Sequence, residues 1–255
     1  MLIIDTEKPI DDKGDFYIPC LDNSHTPFEN SSKDWLVGTE YLELQREFLN
    51  ELFNLPYNIE ILAMECGETN MFYDWDIKQI ILCYEFVDQV YYDFTTYYEN
   101  NPDLAVTEDD ILIMTYDVVD FIFFHEVGHA LIDVYELPIT GLEENITDQF
   151  ATLSVFFYED DPNSKFIISQ DILYNVGTWF FIQTNYNYEQ AYWDVYNLAI
   201  QRFYNISCYA YGNSPEYNED LIIEGWLPQE RASNCEYEHS LLTKSWSELL
   251  KPYYK

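Results

Sequence analysis

The sequence predicts an α+β fold, with a small antiparallel or mixed sheet, one buried helix and a mostly helical C-terminal part. Three observations carry that expectation. Two short β-prone runs, 59–66 and 79–84, lie close together and are separated by turn residues. The run 107–135 is apolar on nearly every side, as a helix buried in a core must be. Beyond the turn at 137–142, which holds Pro138 and Gly141, the remainder reads as mostly helical, divided by turn signals at Asp161-Pro162, Asn213-Ser214-Pro215 and Gly225.

The elements follow in order. Residues 1–35 mix Pro9, Gly14, Pro19 and Pro27 with a DDKGD cluster and show no sustained period, so an extended arm is expected there. A domain over 36–255 should follow, with a sheet and buried-helix lobe at 36–135 and a helical lobe at 136–255. Over 40–53, Tyr41, Leu42, Leu44, Phe48, Leu49, Leu52 and Phe53 recur with helical spacing, and Pro56 ends the pattern. The two β-prone runs come next, with Gly67, Asn70 and Asp74 in the turn-rich stretch between them. Helices are then predicted over 85–98 and from Thr107 to about Tyr135, the second with Thr107 as N-cap and acids in its first turn. Further helices are expected near 143–159, 166–182, 190–211 and 228–250.

Within the buried run, His125, His129 and Asp133 form a polar stripe at four-residue spacing, with Glu126 beside it. The HEVGH segment is the strongest chemical signal in the chain. Residues four apart on a helix lie one above another, so both imidazoles can reach one ion from the same face. Glu126 is turned about a third of a circle away, placed to hold and deprotonate a water at that ion. A catalytic zinc takes three protein ligands and keeps one open position. The segment GLEENITDQFAT offers Glu144 as the third ligand, with Glu143 as its competitor. Asp148, four residues past Glu144, would accept the free ring N–H of His125 or His129 and fix its tautomer.

Composition narrows the partners. With 47 Asp and Glu against 11 Lys and Arg, the 255-residue chain has a formal charge of −36. Such a chain repels phosphate backbones and anionic lipid, which excludes nucleic-acid binders and polybasic membrane proteins. No stretch is long and apolar enough for a transmembrane helix. The start, MLIIDTEKPI, lacks the features of a signal peptide, so either the protein stays in the cytosol or a signal has been removed. His25 and His239 read as surface residues without a role.

The segment FHEVGHALIDVYELPITGLEENITDQFAT resembles the active-site stretch of zincin metallopeptidases of the gluzincin type. More closely, it resembles a bacterial family of inferred zinc metallopeptidases. The likeness extends over most of 40–252 through ECGETNMFYDWDIKQIILCYE, QRFYNISCYAYG, LPQERASNC and SWSELLKP. The resemblance implies a zincin-like fold and a single Zn2+ held by His125, His129 and Glu144, with Glu126 as general base and a peptide or protein as substrate. It also makes Asn70, Met71 and Phe72 similar to a sheet-edge segment that lines the cleft in some gluzincins, where an extended peptide would add as a strand.

At one position the likeness breaks. The family carries a His shortly before QRF, where this chain has Tyr196. That Tyr would either donate its O–H to the oxyanion or leave the oxyanion less well stabilised. Arg202 is another candidate donor, weighed against a buried structural ion pair, which is the favoured reading. Cys66 with Cys83, and Cys208 with Cys235, fall in family-like blocks, and the family's members are commonly exported. Two disulfides in an oxidising, periplasmic or secreted compartment are therefore favoured, with Cys20 unpaired; five buried thiols in a cytosolic protein are the alternative. The functional alternative is a scaffold that holds zinc without turnover and binds protein through an acidic, Tyr-rich face.

Overall fold

The computed structural model describes residues 12–19, 31–159, 171–184 and 198–255. Along the chain these form β1 (Phe16–Tyr17), α1 (Ser31–Gly38), α2 (Tyr41–Leu52), β2 (Ile59–Met64), β3 (Met71–Asp74) and β4 (Gln79–Cys83). There follow α3 (Tyr84–Glu99), α4 (Glu108–Val134), α5 (Glu143–Glu159), α6 (Asp171–Gln183) and α7 (Ala199–Asn213), then α8 (Asp220–Ile223), α9 (Gln229–Ala232) and α10 (Cys235–Leu250). The fold is α+β and compatible with a zincin-like architecture. The chain forms two units that are interleaved along it: Met1–Asp88, His129–Pro138 and Trp246–Lys255 make one, Gln89–Gly128 and Ile139–Ser245 the other.

The first unit holds a four-stranded sheet in the order β1-β2-β4-β3. β1 and β4 both run parallel to β2, and only β3 is antiparallel to its neighbour, β4. The sheet is therefore mixed. The two β-prone runs, β2 and β4, pair in parallel because the stretch between them is more than a turn: it contains β3. Four residues, MFYD, were too few to show a period. β2 alternates, burying Ile59, Ile61 and Ala63, whereas Ile80 to Cys83 of the central β4 are all buried. Cys66 is disulfide-bonded to Cys83 at the end of β4. Glu85, in the first turn of α3, accepts the backbone N–H groups of Cys66 and Gly67 at 3.1 and 2.7 Å. The C-terminal residues belong to this unit too, with Tyr253 stacked on Tyr135 at 3.8 Å and Tyr254 stacked on Phe53. Helix α1 begins at Ser31, inside the stretch expected to be extended.

The second unit is helical. Thr107 caps α4 as the sequence predicts, and reciprocally: its hydroxyl accepts the Asp110 N–H at 3.2 Å while Asp110 accepts the Thr107 N–H at 2.9 Å. Helices α6 and α7 pack together through Gly177, Phe203 and Ser207. The single helix expected over 228–250 is broken by Ser233 and Asn234 into α9 and α10. Cys208 of α7 is disulfide-bonded to Cys235 at the start of α10. One turn along α7, a Cβ on Gly212 would sit 2.2 Å from the Cys235 carbonyl oxygen, so only glycine permits this approach. His239 is not a surface residue: it is half-buried, its ring meets Phe156 edge-on at 5.5 Å, and burial lowers its pKa. His25, Cys20 and Tyr196 lie outside the described residues, as do 166–170 and 190–197 of the expected helices.

Candidate metal centre

Eight consecutive residues of α4, Phe121 to Gly128, are buried. An imidazole and a carboxylate in such a stretch need polar partners. His125 is 3% exposed and Glu126 7%. The partners come from α5, which crosses α4 at Gly128, where an added Cβ would lie 3.1 Å from Thr147 Cγ2. The glycine of HEVGH is thus the contact that lets α5 bring its side chains to His125.

Two carboxylates of α5 divide the His125 ring between them. Asp148 Oδ1 is 2.9 Å from Nδ1, and Glu144 Oε2 is 3.1 Å from Nε2. Their four-residue separation puts both on one face of α5. Thr147 Oγ1 is also 3.1 Å from Nε2, and that hydroxyl lies within reach of the Glu143 and Glu144 carbonyls. Burial pulls the His125 pKa down, but hydrogen bonds from the ring to the Asp148 and Glu144 carboxylates outweigh it and push the pKa up to about 9. Burial alone would raise Asp148; the Arg202 charge and then His125 overcome this and hold its carboxyl below the usual range.

Arg202 is the base of this chain of contacts. Its Nε and Nη2 donate to Asp148 Oδ2 and Oδ1 at 2.8 and 2.5 Å, a two-pronged pair. The guanidinium also lies over the Phe180 ring at 4.1 Å from the centroid. With both prongs on Asp148, the observed contact is the buried ion pair that the sequence favoured. Neither Thr147 nor Phe180 carried a sequence signal, because their proximity to the site depends on helix packing.

His129 follows one turn along α4, and His125, His129 and Glu144 each offer a ligand atom within 4.8 Å of the others. The donors fit a metal. The 3.1 Å between His125 Nε2 and Glu144 Oε2 is close to the ~3.4 Å edge of a tetrahedron with bonds of ~2.1 Å. With Nδ1 turned to Asp148, Nε2 is the ring atom left to face an ion. Glu143, the competing ligand, is exposed, whereas Glu144 is half-buried.

In the first unit, Asn70 to Phe72 lead into and form part of β3, one of the two edge strands of the sheet. The Cys83 N–H donates to the Asn70 carbonyl at 3.2 Å. By the alternation of an antiparallel ladder, the backbone of Phe72 also faces β4, and that of Met71 faces away.

A family model described as "Putative metallopeptidase" matches residues 22–250. No curated protein and no solved structure matches the chain.

Proposed function

The chain belongs to this metallopeptidase family, and from that membership we propose that it is a zinc-dependent peptidase acting on extended peptide or protein substrates. The observation that best supports the reading is the divided ring of His125, with Asp148 on Nδ1 and Glu144 at Nε2. His125, His129 and Glu144 would hold one Zn2+. Bound there, the ion supplies Lewis acidity toward a peptide carbonyl and toward water. Glu126, buried on the same helix, takes the proton of the attacking water and returns it to the leaving amine nitrogen. Arg202 keeps Asp148 ionised, and Asp148 keeps the His125 proton on Nδ1. The outward backbone of Met71 pairs with the substrate strand, while Asn70 and Phe72 hold β3 to β4. Tyr196, standing where the family has His, is the proposed donor to the developing oxyanion. The two disulfides favour an oxidising compartment outside the cytosol.

Digestion of casein by the zinc-loaded protein, with and without chelator, tests the proposal. Glu126→Gln should keep its zinc and lose about 10²–10⁴-fold in kcat. His129→Ala should lose one equivalent of zinc. A wild type that holds zinc yet cleaves no better than Glu126→Gln would instead be a non-catalytic scaffold.

A further inference from the structure

The third residue of the α4 stripe, Asp133, has no part in the metal set, yet two donors converge on one of its oxygens. The Tyr73 hydroxyl donates to Oδ2 at 2.6 Å, and the Lys78 ammonium donates to the same atom at 2.5 Å. Tyr73 belongs to the edge strand β3 and Lys78 to the turn that follows it. Side chains alternate along a strand, so Tyr73 shares a face with the buried Met71, while Phe72 lies on the other.

The backbone supplies an independent sign. Lys78 has φ 57°, in the left-handed region where glycine is the ordinary choice. A lysine there carries backbone strain that the surrounding contacts must offset. Its ammonium meets Asp133 and stands 5.9 Å from the Tyr57 ring centroid, while its carbonyl accepts the Glu60 N–H at 3.0 Å. Strand and turn are thus both held to one carboxylate. Asp133 is four residues beyond His129, on the same helix face.

We propose that Asp133 is a positioning residue that locks the edge strand β3 and its turn to the helix face carrying His129, so that a peptide added along Met71 is held in one register. The proposal rests on the peptidase reading above and deepens it. Peptide binding is set by the lock; the chemical step is not.

Asp133→Ala tests it, with Tyr73→Phe as the milder variant that removes a single hydroxyl. In zinc-loaded protein, amide hydrogen exchange over 71–74 should quicken about tenfold in Asp133→Ala and less in Tyr73→Phe. Zinc affinity should be unchanged. On a fluorogenic casein peptide KM should rise about tenfold, with kcat held within about twofold. Asp133→Asn, which keeps an acceptor for Tyr73, should fall between wild type and Asp133→Ala. Unaltered exchange over 71–74, or a fall in kcat at constant KM, overturns the lock while leaving the peptidase intact. A zinc-loaded wild type that cleaves nothing overturns the peptidase reading and this proposal together.

Discussion

Two aspartates of the helical unit meet burial in opposite ways. Asp148 of α5 has the Arg202 guanidinium on both oxygens and the His125 ring beside it, and its carboxyl is held below the ordinary range against the pull of burial. Asp117 of α4 has the neutral Asn175 amide at 2.6 Å and a second carboxylate, Asp171, nearby; burial prevails and pushes its pKa up to about 6. Both are removed from water to a large degree. The partner decides the outcome: a cation repays the desolvation of a carboxylate, and an amide does not. Only the first kind of site can offer a neighbouring histidine a permanent negative charge. That difference separates a carboxylate whose charge is held beside a histidine from one whose charge burial disfavours.

The largest test removes the partner. Arg202→Met leaves Asp148 buried without its cation and should cost about 3–5 kcal/mol by urea denaturation. With the His125 contact disturbed, zinc affinity should fall about 10–100-fold in a competition titration. If stability and affinity are both unchanged, the Asp148 charge does not depend on Arg202.

A smaller effect comes from the other aspartate. A carboxyl whose folded pKa is about 6 binds a proton that the unfolded chain has already released above its ordinary value of 3.8. Its contribution to stability is therefore fully present below 3.8 and is lost as pH rises through about 6. Asp117→Asn should flatten that loss and make the protein roughly 1–3 kcal/mol more stable at pH 7. Urea midpoints between pH 4 and 7 would show it; parallel curves for variant and wild type would sink the argument. Asp148 has the opposite sign, its contribution being present above the ordinary carboxyl range and lost as pH falls below it.

The smallest effect belongs to Asp133, whose ion pair with Lys78 is about one-third exposed on either side. Solvent screens it, so Lys78→Met should shift stability by no more than about 1 kcal/mol and lose that difference in high salt. A loss as large as that of Arg202→Met would mean that burial is not what separates the two pairs.

Much of the local structure was legible from the chain. The periodicity of 40–53, the cap at Thr107 and the all-round apolarity leading to HEVGH are consequences of near neighbours, and local period reports them faithfully. The Glu144–Asp148 spacing, too, is a property of one helix. The sheet was harder to read. β3 is four residues long, and the parallel pairing of β2 with β4 depends on that strand passing to the far edge, which no window along the sequence contains. His239 misled for a related reason: it sits among polar residues in sequence, and its ring meets Phe156 from a distant helix.

The sequence by itself determined which residues share a helix face: His125 with His129 and Asp133 on α4, and Glu144 with Asp148 on α5. That follows from the 3.6-residue turn, which is independent of the rest of the chain. Only the tertiary structure decided which atom of His125 meets which carboxylate, that both prongs of Arg202 go to Asp148, and that Tyr73 and Lys78 share one oxygen of Asp133. Those contacts join residues up to 60 positions apart, and their distances are set by packing such as that at Gly128, where the absence of one methyl group lets α5 approach.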